Sequence, residues 1–112
     1  MRETLDGGLR LRTTEEDSIC TLALAGELDM ANGPAFTAEL ARLEASGAPV
    51  KIDLSELEFI DSTGIAILVA AYQRLDRRLQ LVPSRARGVR RVISLTGLDT
   101  ALPFAPSLNG NS

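Results

Sequence analysis

Leu9, Leu11 and Thr13 alternate with Arg10, Arg12 and Thr14, the period-two pattern of a strand buried on one face, which suits a sheet edge. Glu15-Glu16-Asp17-Ser18 reads as a hairpin turn into a second strand. There Ile19, Ala23 and Ala25 point one way and Cys20, Leu22 and Leu24 the other, so this strand is expected at the sheet centre, covered on both faces. Gly26-Glu27-Leu28-Asp29 ends it. Asn32-Gly33-Pro34 then starts a helix, because the N–H that proline lacks has no partner in a first turn. Phe36, Leu40 and Leu43 recur at helical spacing, with Thr37, Arg42 and Glu44 turned outward, up to a stop at Ser46-Gly47-Ala48-Pro49.

Val50, Ile52 and Leu54 alternate with Lys51 and Asp53 as a third strand, and Ser55 to Ile60 read as a short connection. A second helix begins near Asp61-Ser62-Thr63-Gly64. It places Ile65, Leu68, Val69, Tyr72 and Leu75 inward and Gln73, Arg74 and Arg77 outward. Leu79 to Val82 is a short strand closed by Pro83, and a third helix from about Ala86 to Thr96 buries Val89, Val92 and Ile93 before Gly97 stops it. Leu102 to Phe104 adds a last short strand, and beyond Ala105 the aperiodic residues read as a loose tail. Strands alternating with helices imply crossovers and a largely parallel sheet, with an antiparallel edge from the opening hairpin.

Composition narrows the chemistry. The 112 residues favour one domain, and 45% hydrophobic with 24% charged residues is ordinary globular usage. Histidine is absent and Cys20 is the one cysteine. The usual zinc sites, Ser-His and Cys-His catalysis and an internal disulfide are thereby excluded, and no metal, cofactor or catalytic residue is expected. The longest charge-free apolar run, Ile65 to Tyr72, falls far short of the roughly 18 residues of a membrane span. The first twenty residues lack the apolar stretch of a signal peptide. A cytoplasmic chain with Cys20 as a core thiol is the expectation.

Charge is uneven: residues 1–61 carry 13 acidic and five basic side chains, residues 62–112 two acidic and seven basic, all arginines between Arg74 and Arg91. No aromatic residues are interleaved among those arginines, so they read as a solvated helical face, not as a nucleic-acid patch.

The chemistry that remains lies in Phe59-Ile60-Asp61-Ser62-Thr63-Gly64, a hydroxyl-rich junction ahead of an apolar helix. One reading is an N-cap, in which Asp, Ser or Thr accepts hydrogen bonds from the free N–H groups of the first turn. The other is an exposed hydroxyl open to phosphorylation, because the dipole and free amides of a helix N-terminus tolerate a phosphate. A nucleophile elbow would need glycine at position 60, which is Ile60, and neither a phosphate-binding loop nor a dinucleotide fingerprint occurs. The pairs Glu27 with Asp29 and Asp53 with Asp61 read as solvated charges at strand ends.

Gly26-Glu27-Leu28-Asp29, the run from Ile52-Asp53-Leu54 through Phe59-Ile60-Asp61-Ser62-Thr63-Gly64, and Leu95-Thr96-Gly97-Leu98 together resemble the STAS domain of bacterial anti-sigma factor antagonists. The resemblance spans roughly residues 8–104 of a single domain. It implies an α/β STAS fold: a mixed, largely parallel sheet of four to five strands with an N-terminal antiparallel hairpin, packed with three to four helices. It also implies a non-enzymatic switch. Unphosphorylated, such a protein binds an anti-sigma factor serine/threonine kinase and releases the sigma factor; phosphorylation turns it off, and a phosphatase restores it.

The phosphoacceptor of that family maps onto Ser62, with Thr63 as the alternative hydroxyl, and the partner-binding surface onto Asp29, Asp61, Ser62, Thr63 and Gly64. An accessory STAS subunit of an ABC-type phospholipid transport system, never phosphorylated, is the alternative reading. Two departures fall in the arginine-rich region. The turn Leu75-Asp76-Arg77-Arg78-Leu79 is short and lacks glycine, and Ser84 to Val89 is longer than the usual pattern.

Overall fold

The buried side chains of every inner strand point to one side, and this decides the architecture. A computed structural model describes residues 1–105. Its five-stranded sheet runs in sequence order, β1 (Arg2–Asp6), β2 (Leu9–Glu16), β3 (Ile19–Leu28), β4 (Val50–Ile60) and β5 (Leu79–Val82). The first two pairings are antiparallel and the last two parallel. Helices α1 (Gly33–Glu44) and α2 (Ser62–Leu75) make the two parallel crossovers, and α3 (Arg87–Leu95) and the short α4 (Leu98–Ala101) follow β5.

Register explains the one-sided core. Thr13, Leu22, Ile52 and Leu81 lie side by side across four strands, as do Cys20, Val50 and Leu79 across three, and all are buried. Phe36, Leu40 and Leu43 of α1, Leu68, Ala71 and Leu75 of α2, and Val89 and Ile93 of α3 close over them. Cys20 is a buried free thiol within that core. The opposite face carries Arg12, Ala23, Asp53 and Val82 in one row and Thr14, Thr21, Lys51 and Gln80 in another, all left partly or fully exposed.

The expectation that β3 is covered on both faces is therefore corrected. Its second face carries Ile19, 38% exposed at the start of the strand, and then Thr21, Ala23 and Ala25, side chains too small to demand burial. The edge is also corrected: β2 is internal because β1 pairs along it through the two-residue turn Gly7-Gly8. Arg-Glu-Thr-Leu-Asp has no apolar alternation to announce a strand; backbone bonding holds it in the sheet. At the next hairpin Asp17 and Ser18 both take positive φ, 54° and 65°, as the tight turn between right-twisted strands requires.

The segment Ser55 to Ile60 is not a connection but the second half of β4. Between Ala23 and Ala25 the facing strand advances from Asp53 to Glu56, and between Gly26 and Glu27 from Leu57 to Phe59. Each step inserts one extra residue, so Leu54, Leu57 and Ile60 all point inward at a spacing of three and the alternation is lost. The expected terminal strand reduces to one bridge between Leu81 and Phe104, preceded by α4, which periodicity did not announce. At the shortened turn after α2, Asp76 takes a φ of 50° where glycine is usual. The tail expected after Ala105 lies outside the described residues.

Candidate functional site

The bulges in β4 deliver Ile60 and Asp61 to the carboxyl end of the parallel strands, where the Asp61 N–H donates to the Leu28 carbonyl (3.2 Å). There α2 begins. The Asp61 side chain takes the cap: its Oδ1 accepts from the N–H groups of Thr63 (2.9 Å) and Gly64 (3.2 Å). Ser62 is the first residue of the helix, exposed to solvent and outside the cap. The two readings of the junction therefore fall on different residues, with the cap on Asp61 and the open hydroxyl on Ser62.

Thr63 and Gly64 face inward by degrees. Thr63 is half-buried, and a Cβ on Gly33 of α1 would lie 3.0 Å from its Cγ2, so its methyl packs against the start of α1. Gly64 is buried against Leu28 and Ile60: a Cβ there would stand 2.8 Å and 2.7 Å from their side chains. Glycine here lets the first turn of α2 lie directly on the strand ends. Asp29 is half-buried in the loop after β3, and its Oδ1 accepts from the Ala31 N–H (3.0 Å).

That loop is organised by Asn32, which was legible only as a helix start. Asn32 is 1% exposed. Its Oδ1 accepts from the Asp29 N–H and its Nδ2 donates to the Glu27 carbonyl, both at 2.9 Å. The side chain thus does not cap α1 but folds back and fixes the turn Glu27 to Asn32. Asn32, Gly33, Asp61 and Thr63 together lock the loop after β3 against the start of α2. A shallow groove between α1 and α2, lined by Thr37, Ser62, Ile67 and Arg74 among others, runs from this junction along the helices. At its far end Arg74 is held by Glu44 through two bonds of 2.8 and 2.9 Å.

Two apolar side chains at the same end of the sheet were given no role in the sequence reading, which named Phe59 only as part of the junction and passed over Met30. Met30, in the loop after β3, is 75% exposed, and Phe59, opposite Glu27 near the end of β4, is 49% exposed. The signal was a large apolar residue placed directly after Asp29 and another between Glu58 and Ile60. Glu27, Glu56 and Glu58 add exposed negative charge around them. Among the described residues no group of three or more His, Cys, Asp or Glu is placed to hold a metal ion, and no helix is long and apolar enough to cross a membrane. The arrangement suits contact with a macromolecule at an exposed hydroxyl.

A protein-family model described as Mlab, STAS domain, matches residues 11–105. The chain is 28% identical over 103 residues to the anti-sigma-F factor antagonist RsfB of Mycobacterium tuberculosis, a match covering 90% of this chain and 84% of that protein. It is 27% identical over 90 residues to the anti-sigma-B factor antagonist of Bacillus subtilis, covering 78% and 82% respectively. The crystal structure of an anti-sigma factor antagonist from Mycobacterium paratuberculosis superposes with a TM-score of 0.80 at 34% identity, over 90% of this chain and 88% of that one.

Proposed function

The chain belongs to the STAS domain family, and on that premise we propose that it is an anti-sigma factor antagonist working by partner switching. Unphosphorylated, it binds an anti-sigma factor that is also a serine/threonine kinase, and the sigma factor is released. The kinase moves the γ-phosphoryl group of ATP onto Ser62 Oγ, ADP leaves, and the association ends. A phosphatase acting on phospho-Ser62 hydrolyses the ester and resets the switch. A cytoplasmic site of action and a binding role without catalysis of its own go with this reading.

The observation that carries it is the division of labour at the start of α2. Because Asp61 satisfies the Thr63 and Gly64 amides, the exposed Ser62 hydroxyl is free of structural duty and can be esterified without unfolding the helix. A phosphate at that place sits at the positive end of the helix dipole, which favours it in the free protein. Its cost falls on the complex, where about −1.5 to −2 units of added charge must be desolvated. Thr63, packed against Gly33, is the less accessible acceptor. Met30 and Phe59 supply apolar contact beside the switch, Asp29 and Asp61 its acidic border, and Thr63 and Gly64 the shape beneath it. The names of the relatives, anti-sigma factor antagonists, agree with this reading.

Incubation with candidate anti-sigma kinases and ATP tests it. Phosphate is expected on the wild-type chain at Ser62 and absent from Ser62→Ala, which remains a constitutive binder. A chain that binds no such kinase and takes up no phosphate overturns the proposal and fits instead the accessory subunit of an ABC-type phospholipid transport system.

A further inference from the structure

The two rims of the sheet are finished differently. Beside β5 the chain returns: the Leu81 N–H donates to the Pro103 carbonyl (3.0 Å) and the Ala105 N–H to the Leu81 carbonyl (2.7 Å), so that edge is covered. Beside β1 nothing covers the outer edge among the described residues, and Leu5, 71% exposed, stands on it. We propose that this edge is a self-association surface, and that two copies join β1 to β1 in antiparallel fashion, the register centred on Thr4, into one continuous sheet.

The hairpin geometry selects the register. In a two-residue hairpin the closing pair exchanges ladder hydrogen bonds, and every second pair after it does the same. Asp6 pairs with Leu9 across Gly7-Gly8, followed by Leu5 with Arg10, Thr4 with Leu11, Glu3 with Arg12 and Arg2 with Thr13. Asp6, Thr4 and Arg2 therefore bond toward β2, and the N–H and C=O groups of Glu3 and Leu5 point outward. A second β1 can meet those four groups fully in one arrangement, with Glu3 opposite Leu5 and Leu5 opposite Glu3. Each such pair exchanges two hydrogen bonds.

Charge agrees with that register. Charged side chains on an edge strand ordinarily block edge-to-edge pairing. Here the two-fold arrangement places Arg2 opposite Asp6 twice, and cross-strand pairs of opposite charge stabilise a ladder. Asp6 makes no ion pair within its own chain among the described residues. Arg2, although bonded to Glu39, keeps 58% of its side chain exposed. Shifting the register by two residues in one direction sets Glu3 opposite Glu3; the opposite shift sets Thr4 opposite Asp6 and leaves Arg2 without a carboxylate facing it. The contact is small, five residues on each side, so the association is weak.

Ser62 follows β4, three strand spacings or about 14 Å from β1, so pairing leaves both hydroxyls open and makes a two-headed molecule. The inference does not depend on what Ser62 binds.

Sedimentation velocity of the full unphosphorylated chain from micromolar to millimolar concentration tests it. The mass is expected to rise with concentration from 12.0 kDa toward twice that value. Leu5→Pro removes an outward donor while keeping the bonds to β2, so it is expected to stay at the single-chain mass, with circular dichroism reporting an intact fold. Asp6→Lys, which faces Arg2 with a like charge and needs no backbone change, is expected to weaken association at least tenfold, and it decides the matter should Leu5→Pro unfold. A mass fixed at that of one chain throughout overturns the proposal. So does an association that Asp6→Lys leaves unchanged.

Discussion

At the turn into α2, one carboxylate holds the helix while the neighbouring hydroxyl is left free, and that separation can be measured. Asp61→Ala removes the acceptor for two amides and is expected to lower stability by about 1 kcal/mol. Ser62→Ala removes an exposed group and is expected to change it by less than about 0.5 kcal/mol. Urea denaturation of the two variants checks the difference, and equal losses would mean that the hydroxyl is part of the cap. Gly64→Ala forces a methyl group to within 2.7 Å of Ile60 and is expected to cost about 1 to 3 kcal/mol by overpacking. The cap was legible because Asp-Ser-Thr-Gly before an apolar helix carries its own local chemistry. The closeness of Gly64 to Leu28 was not, because the neighbour lies 36 positions away and leaves no trace in the spacing.

Among the elements, those with a periodic apolar face were the legible ones: β2, β5 and helices α1 to α3 emerge near their observed limits. The second half of β4 was hidden because its bulges turn an alternation of two into a spacing of three. β1 was hidden because its place depends on bonds and charges, not on burial. One such charge is Glu39, which falls on the same face of α1 as Phe36, Leu40 and Leu43 and is 6% exposed. It accepts from Arg42 Nη2 (2.7 Å), Thr13 Oγ1 (2.6 Å) and Arg2 Nε (3.0 Å), tying β1 and β2 to the helix. The Arg42 guanidinium above all, with Thr13 and Arg2, overcomes the opposing effect of burial and lowers the Glu39 pKa from 4.5 to about 2.

A carboxylate whose folded pKa is depressed stabilises the fold above its unfolded pKa, and that contribution fades as pH falls from about 4.5 toward about 2. Urea midpoints across that range are expected to decline more steeply for the wild type than for Glu39→Gln. The variant is expected to start roughly 1 to 3 kcal/mol lower at neutral pH, because it leaves the arginines without their ion partner. Parallel curves for the two proteins would place the acid sensitivity elsewhere.

For the whole molecule, the acidic half of the sequence contributes the end of the sheet that carries Ser62, and the basic segment contributes α3 and the approach to β5. A partner that docks at this end, as proposed, meets the exposed Met30 and Phe59 together with the carboxylates of Glu27, Glu56 and Glu58. Long-range attraction to a basic partner would grow with an added phosphate, so the loss of binding must come from close contact, where the new charge is stripped of water. Screening acts over about 8 Å at physiological salt and hardly reaches a buried contact. Ser62→Asp is accordingly expected to weaken kinase binding by at least a hundredfold, about 3 kcal/mol, while leaving folding stability within about 0.5 kcal/mol of the wild type. Calorimetry between about 0.05 and 0.5 M salt separates the two origins. A penalty that persists as salt rises marks a local desolvation switch at the start of α2. A penalty that disappears marks repulsion between whole surfaces, and then the carboxylates at this end, not the placement of Ser62 at the helix end, would set the sign of the response.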